Sequence, residues 1–246
     1  MPADGKSALG LAPPSAETPA YHPLSAPNPL YEIVKSRAVR HNALTLTLPR
    51  NVGERGFLQI GKPSEPTNGA IRIPLANQTK PGLAHTWHVQ LGSVSLAGHK
   101  KLDLPLKSVY GRLDFEPSIG LPPKIATQIY SALGAKPNSR LRGASIDCNA
   151  RESLPDLVLG IGGNEIVLSK DDYSFEGAVY GHPFCVVAIE STESEGVAML
   201  GTTLMEKFHV VIDIDEHELG CEYLAFINVF DSLLTSNSDC SEVKTW

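Results

Sequence analysis

Cysteine and long apolar runs are both scarce in this sequence, and each scarcity excludes a class of protein. The 246 residues include 4 cysteines, too few for a scaffold built on many disulfides but enough for one or two bridges. No run approaches the roughly 18 apolar residues that a membrane-spanning helix needs. Residues 1–20 contain no basic segment followed by an apolar run, so no secretory signal is expected. The chain as written therefore predicts a cytoplasmic location.

Positive charge is also in short supply. The sequence has 21 basic and 27 acidic side chains, giving a formal net charge of -6. The basic residues are scattered, so we expect no surface that neutralises a run of phosphates or docks on an anionic membrane. Nucleic-acid and membrane partners are therefore not predicted. With 42% hydrophobic residues, the composition is that of an ordinary globular protein.

Three segments differ in composition along the chain. Residues 1–28 contain six prolines separated mainly by small residues, which predicts a disordered leader. The foldable segment is expected over residues 29–230, beginning with a short helix at Pro29. Residues 231–246 are predicted to be a polar tail.

Short β-type segments dominate the foldable part. Residues 43–48 alternate strictly, so Leu44, Leu46 and Leu48 share one face of a strand. Further short runs end at Gly, Pro, Asn or Asp, as in an all-β sandwich or barrel. Lys124–Leu133 is the one clear helix after residue 43, with Gly134 in the stop position. The glycines of 160–164 are typical of a hairpin turn, since no helix follows them to complete a phosphate-binding loop.

Several segments, taken together and in order, resemble the C-terminal lobe of a pepsin-like aspartic peptidase. The resemblance covers about residues 29–228. It includes a hairpin, two strands, the loop 114–118 and the helix ending at Ala135, followed by two cysteines and a closing strand. The segments are Gly56–Gly61, Trp87–Leu91, Val94–Gly98, Asp114–Ser118, Leu121–Pro122, Ala132–Ala135, Cys148, Leu154–Leu157, Cys185, Met199–Gly201, Phe208–Asp213 and Leu219–Gly220.

The resemblance implies a single pepsin-like lobe of twisted antiparallel sheets with one or two short helices. It also implies a disulfide between Cys148 and Cys185, which disfavours a zinc site formed by these cysteines with His182. No cofactor or metal is expected. The triplet at Asn77 would be glycosylated only if the chain were secreted. Members of this family are usually secreted or vacuolar, which conflicts with the absence of a signal in the chain as written.

Aspartic proteolysis needs two carboxylates that share a proton across a bound water. In the family each lobe supplies one aspartate from a D-T-G loop, and this sequence contains no such triplet. Asp114 occupies the aspartate position, but Phe115 and Glu116 replace the threonine and glycine. Asp114 is thus a degenerate catalytic candidate. Glu116 is a second candidate, since residues i and i+2 of a strand face the same way and could form an acid/base pair.

Three interpretations of function follow from the resemblance. In the preferred one, a lobe without ordinary proteolytic activity binds a peptide or small molecule in a residual groove, or depends on a partner chain. In the second, an aspartic endopeptidase acts as a homodimer or with a separate first lobe. In the third, Asp114 or Glu116 assists a cyclisation or dehydration in secondary-metabolite biosynthesis. The sequence could also be a truncated gene product.

Overall fold

The computed structural model describes residues 33, 36–40, 43–50, 53–61, 71–76, 87–99, 102–141, 143–213 and 223–228. The predicted leader and polar tail lie outside these residues, as do Asn77, Cys221 and Cys240 and most of the helix expected at Pro29. The described residues form mainly β-strands in three sheets, as an all-β pepsin-like lobe requires. None of the helices in this part of the chain combines the length and apolar character needed to cross a lipid bilayer.

The first sheet has five strands in the order β2-β1-β15-β16-β3. All four of its pairings are antiparallel, and the alternating segment predicted from the sequence forms its second strand. The strands are β1 (Ala43–Thr47), β2 (Phe57–Ile60), β3 (Ile71–Pro74), β15 (Phe208–Asp213) and β16 (Tyr223–Asn228).

The second sheet has seven strands in the order β10-β9-β4-β5-β14-β6-β13. Two of its pairings, β14 with β5 and β13 with β6, are parallel, which corrects the expectation of purely antiparallel sheets. Parallel partners require a crossover connection, so neighbouring residues in the sheet lie far apart in the sequence. The strands are β4 (His88–Leu96), β5 (Asp103–Leu113), β6 (Ile119–Leu121), β9 (Leu157–Ile161), β10 (Asn164–Leu168), β13 (Ile189–Ser191) and β14 (Val197–Leu200).

The third sheet has four strands in the order β11-β12-β8-β7. The predicted disulfide lies beside it: Cys148 and Cys185 are bonded, with 5.1 Å between their Cα atoms. The bond leaves neither thiolate available as a metal ligand, in agreement with the pairing that the family resemblance implies. The strands are β7 (Lys136–Asn138), β8 (Gly143–Ile146), β11 (Ser174–Val179) and β12 (His182–Val187).

The helices are more numerous than predicted. Four occur in the described residues, whereas the sequence predicts one or two: α1 (Pro123–Leu133), α2 (Cys148–Arg151), α3 (Lys170–Tyr173) and α4 (Thr202–Met205). Three of them span only four residues, too short for a hydrophobic periodicity to show in the sequence. The predicted helix is confirmed as α1, which ends where Gly134 takes the left-handed conformation with φ 62°.

Part of the buried core lies between α1 and strands of the seven-stranded sheet. Ile129 and Leu133 on one side of α1 are buried together with Leu121 of β6 and Ile189 of β13. The predicted turn at 160–164 is confirmed as the β9–β10 hairpin, in which Gly162 and Gly163 have φ of 55° and 83°. Such positive angles at two adjacent turn residues explain why glycine occupies both positions.

Candidate active site

The candidate site is the loop 114–118, which joins β5 to β6 across the end of β14. Strand β14 lies between these two strands, parallel to β5 and antiparallel to β6. The loop must therefore pass over the C-terminal end of β14 to connect its two neighbours. This arrangement places Asp114 beside Leu200, whose carbonyl accepts a hydrogen bond of 3.1 Å from the Asp114 amide.

The residues after β14 fix the path of the loop. The Thr202 amide donates to the Glu116 carbonyl at 2.8 Å, and the Thr203 hydroxyl donates to the Pro117 carbonyl at 3.0 Å. Gly201 separates them from the strand, and a Cβ atom there would overlap the Glu116 and Ser118 carbonyl oxygens. The segment 201–203 thus supports the loop backbone through two hydrogen bonds and the close approach at Gly201.

The Asp114 carboxylate is bound on both oxygens by neighbours in the chain. Arg112 Nη2 donates to Asp114 Oδ2 at 2.6 Å, and the Phe115 amide donates to Asp114 Oδ1 at 2.8 Å. The side chains of Arg112 and Asp114 are 37% and 27% exposed, so the ion pair is open to solvent on one side. The same guanidinium contacts Met199 Sδ at 3.5 Å, which packs it against β14.

The expected acid/base pair of Asp114 and Glu116 rests on strand geometry that the structure does not provide. Strand β5 ends at Leu113, and residues 114–118 lie in the loop. In a strand, residues i and i+2 lie on the same side. This relation connects Asp114 with Arg112 at the end of β5, but it does not extend to Glu116, which lies in the loop. The nearest charged partner of Asp114 is consequently a cation on its own strand.

Phe115, which the sequence resemblance matches with a threonine of the family, is 53% exposed. A benzyl group has no hydroxyl to donate, so any contact that it makes with a partner surface is apolar. Pro117 follows two residues later and supplies no amide hydrogen. The loop therefore offers an apolar projection and fewer donors than a D-T-G-T-S loop would.

Ser118 anchors the far end of the loop. It is fully buried, and its hydroxyl donates to Glu190 Oε1 on β13 at 2.5 Å. Nearby, the Tyr130 hydroxyl of α1 donates to the Ile189 carbonyl at 3.0 Å. Burial, assisted by the negative charge of Glu190, raises the pKa of Tyr130 to about 12.

The sequence identified Asp114 but missed Arg112, Thr203 and Glu190. For Arg112 a signal exists, since it precedes Asp114 by two residues at the end of an apolar strand. Thr203 and Glu190 are 86 and 72 residues away from their loop partners, and no sequence pattern links them. In the part of the chain that the structure describes, no group of His, Cys, Asp or Glu is arranged to hold a metal ion.

Comparison with known proteins identifies the family. The family model of eukaryotic aspartyl proteases matches residues 2–223. Renin-2 of Mus musculus is 29% identical over 106 residues, which cover 42% of this chain and 26% of that relative. The aligned region thus spans about a quarter of the length of the curated relative. Because the family model covers most of the sequence, this chain belongs to the eukaryotic aspartyl protease family.

Proposed function

We propose that this family member does not carry out ordinary aspartic proteolysis through its 114–118 loop, and that it acts by binding. The binding partner is a peptide or small molecule in a residual groove, or another protein chain. The observation that carries the proposal is the ion pair between Arg112 and Asp114, with 2.6 Å between Nη2 and Oδ2. In this pair the Asp114 carboxylate is bound by the last arginine of the preceding strand, two residues earlier in the chain.

The ion pair conflicts with the chemistry that the family uses. Two carboxylates share one proton because their like charges repel at hydrogen-bonding distance. A guanidinium in contact with one of them offsets that repulsion and takes up an oxygen that would otherwise bind the shared water. Both oxygens of Asp114 accept a hydrogen bond from a neighbour in the chain, so part of the acceptor capacity of the carboxylate is already used before water or substrate binds.

The peptidase alternative, a homodimer or a separate first lobe, must accommodate the same groups. In a symmetric dimer each Asp114 would arrive with its own Arg112, Phe115 and Glu116, so two cations and four carboxylates would converge on one axis. The third alternative, acid/base catalysis in a biosynthetic reaction, would be favoured by a ligand-sized pocket beside Asp114. One pocket of about 600 Å³ is lined by residues of α1, β7, β8 and β13 and by none of the residues 112–118.

The proposal is tested by incubating the purified chain with an unfolded protein substrate between pH 3 and 6, with and without pepstatin. We expect no cleavage that pepstatin inhibits. An Asp114→Asn variant serves as the control for contaminating proteases, since it removes the candidate carboxylate. Pepstatin-sensitive cleavage by the wild type that disappears in this variant would overturn the proposal.

A second variant shows whether the loop itself blocks catalysis. Arg112→Leu with Phe115→Thr and Glu116→Gly removes the cation and rebuilds the family's triplet around Asp114. Pepstatin-sensitive cleavage by this variant alone would assign the block to the three replaced side chains. If neither protein cleaves, pepstatin binding to the triple variant is measured by calorimetry. Binding would indicate a rebuilt site that lacks only a second carboxylate, and no binding would indicate that the site is not rebuilt.

A further inference from the structure

A pocket of about 600 Å³ opens between α1, β7, β8 and β13. None of the residues 112–117 lines it, so it is separate from the carboxylate of Asp114. Ser118 connects the two places, because the hydroxyl that ends the loop is bonded to Glu190, which lines the pocket. A ligand in this pocket would touch a residue that also anchors the loop.

The walls of the pocket are largely apolar. Ala135, Pro137 and the ring of Tyr130 contribute carbon surface. Gly143 exposes bare backbone there, and a Cβ at this position would collide with the Val187 carbonyl oxygen. Glycine at this position therefore allows close packing of the backbone against Val187, and the described wall at Gly143 presents backbone and no side chain.

Among the described residues of the lining, Glu190 is the one that carries a charge. Its Oε1 atom accepts the 2.5 Å hydrogen bond from Ser118. Across the described ranges, no cationic side chain pairs with Glu190 and no donor is bonded to its second oxygen, Oε2. The nearby Tyr130 hydroxyl donates to a backbone carbonyl, so it does not bind the carboxylate either. The described part of the pocket therefore combines apolar walls with a carboxylate that no described cation neutralises.

We propose that this pocket binds a lysine side chain presented by a peptide. The four-carbon stem of lysine suits the apolar walls, and its ammonium group is a point charge that one carboxylate oxygen can receive. Arginine fits less well, because its planar guanidinium carries five donors and the described lining offers a single carboxylate to receive them. The inference names a site apart from the 114–118 loop and holds whether or not that loop is catalytic.

The test is an NMR titration of the ¹⁵N-labelled full chain with three blocked tripeptides, acetyl-Gly-X-Gly-amide, in which X is lysine, norleucine or arginine. Norleucine keeps the aliphatic stem and lacks the charge. We expect saturable amide shifts at Ser131, Gly143 and Ser191 with the lysine peptide at millimolar concentration. Affinity for the norleucine peptide should be lower by about tenfold, and the arginine peptide should bind more weakly than the lysine peptide.

Two matched variants test the role of the carboxylate. Glu190→Gln removes the charge but keeps an oxygen to accept from Ser118, and its own spectrum reports whether it folds. Glu193→Gln removes the same charge from an exposed position nearby. We expect Glu190→Gln to weaken the lysine peptide by about tenfold, while Glu193→Gln leaves it unchanged. The proposal is overturned if lysine and norleucine peptides bind equally, if neither gives saturable shifts, or if the two variants behave alike.

Peptide binding and cleavage remain separable in these experiments. The lysine titration reads amide shifts around α1, β8 and β13, whereas the cleavage assay reads chemistry at Asp114. An active peptidase could still bind lysine in this pocket, and an inactive one could fail to bind it. Each proposal can therefore fail in its own experiment while the other proposal stands.

Discussion

Gly201 is the residue whose size matters most for the path of the 114–118 loop. Its backbone angle, φ -82°, is accessible to any residue, so conformational freedom does not explain the glycine. The lack of space explains it, because the carbonyl oxygens of Glu116 and Ser118 lie where a Cβ would be. The loop therefore approaches the end of β14 as closely as a bare backbone permits.

We expect Gly201→Ala to destabilise the fold by about 2–3 kcal/mol, because backbone oxygens cannot move aside as a side chain can. The measurement is urea-induced unfolding followed by circular dichroism. Gly196→Ala is the matched control, since a Cβ at Gly196 would have no neighbour closer than 3.9 Å. Equal stabilities for the two variants would mean that the loop does not press against Gly201.

The short helix α3 is held in place by the hydrogen bonds and ion pairs of one buried carboxylate, that of Asp172. Its capping residue Ser169 donates to Asp172 Oδ2 from both its amide and its hydroxyl, each at 2.8 Å. The same carboxylate binds Lys207 at 2.8 Å and Arg50 at 2.6 Å, and its side chain is 7% exposed. Asp172 thus joins α3 to the turn after α4 and to the segment after β1.

The pKa of Asp172 is lowered from its ordinary value. Burial opposes its ionisation, but hydrogen bonds from Lys207 and Ser169 and the charge of Lys207 outweigh burial. A carboxyl whose folded-state pKa lies below its unfolded value stabilises the fold above the unfolded pKa. This stabilisation is lost as the pH falls from about 5 through the lowered pKa.

We therefore expect Asp172→Asn to be clearly less stable than the wild type at pH 7, and the difference to shrink toward pH 2. Urea unfolding at pH 7, 4 and 2 measures it. Asp171→Asn is the control, because Asp171 is 65% exposed and its contacts are open to solvent screening. A difference for Asp172→Asn that does not change with pH would contradict the assigned charge.

Elements differ in how far the sequence predicts them. The alternating segment predicted at residues 43–48 is confirmed as β1, Ala43–Thr47. Ile119–Leu121 and Lys136–Asn138 are each three residues long, too short for a pattern to show in the sequence. Among the described strands, the first of them also pairs only with β13 and β14, which are distant in sequence. A short segment becomes a strand through its neighbours, and the sequence does not show which neighbours it has.

The sequence also predicts the candidate site only in part. Asp114 could be located by the order of motifs around it, but the choice between Arg112 and Glu116 as its neighbour could not be made, because that choice depends on where β5 ends. Leu113 is the last residue of the strand, and its amide donates to the Trp87 carbonyl at 2.9 Å. After Asp114, whose amide still bonds to Leu200, alternation no longer indicates on which side Glu116 lies.

At the scale of the whole molecule, the disulfide ties helix α2 to the four-stranded sheet. Cys148 begins α2 and Cys185 lies in β12, 37 residues later. The enclosed segment includes β9, β10, α3 and β11, so the bridge spans parts of two sheets. The cross-link restricts the unfolded chain more than it adds contacts to the folded one.

We expect the double variant Cys148→Ala with Cys185→Ala to lose about 4 kcal/mol of unfolding free energy, the value for a closed loop of this length. Urea unfolding of the wild type with and without dithiothreitol separates the cross-link from packing, since the reduced wild type keeps both sulfur atoms. Reduction alone should account for most of the loss. A non-reducing peptide map must show the 148 and 185 peptides linked. If they are linked and reduction leaves the stability unchanged, the bridge closes a segment that stays ordered in the unfolded chain.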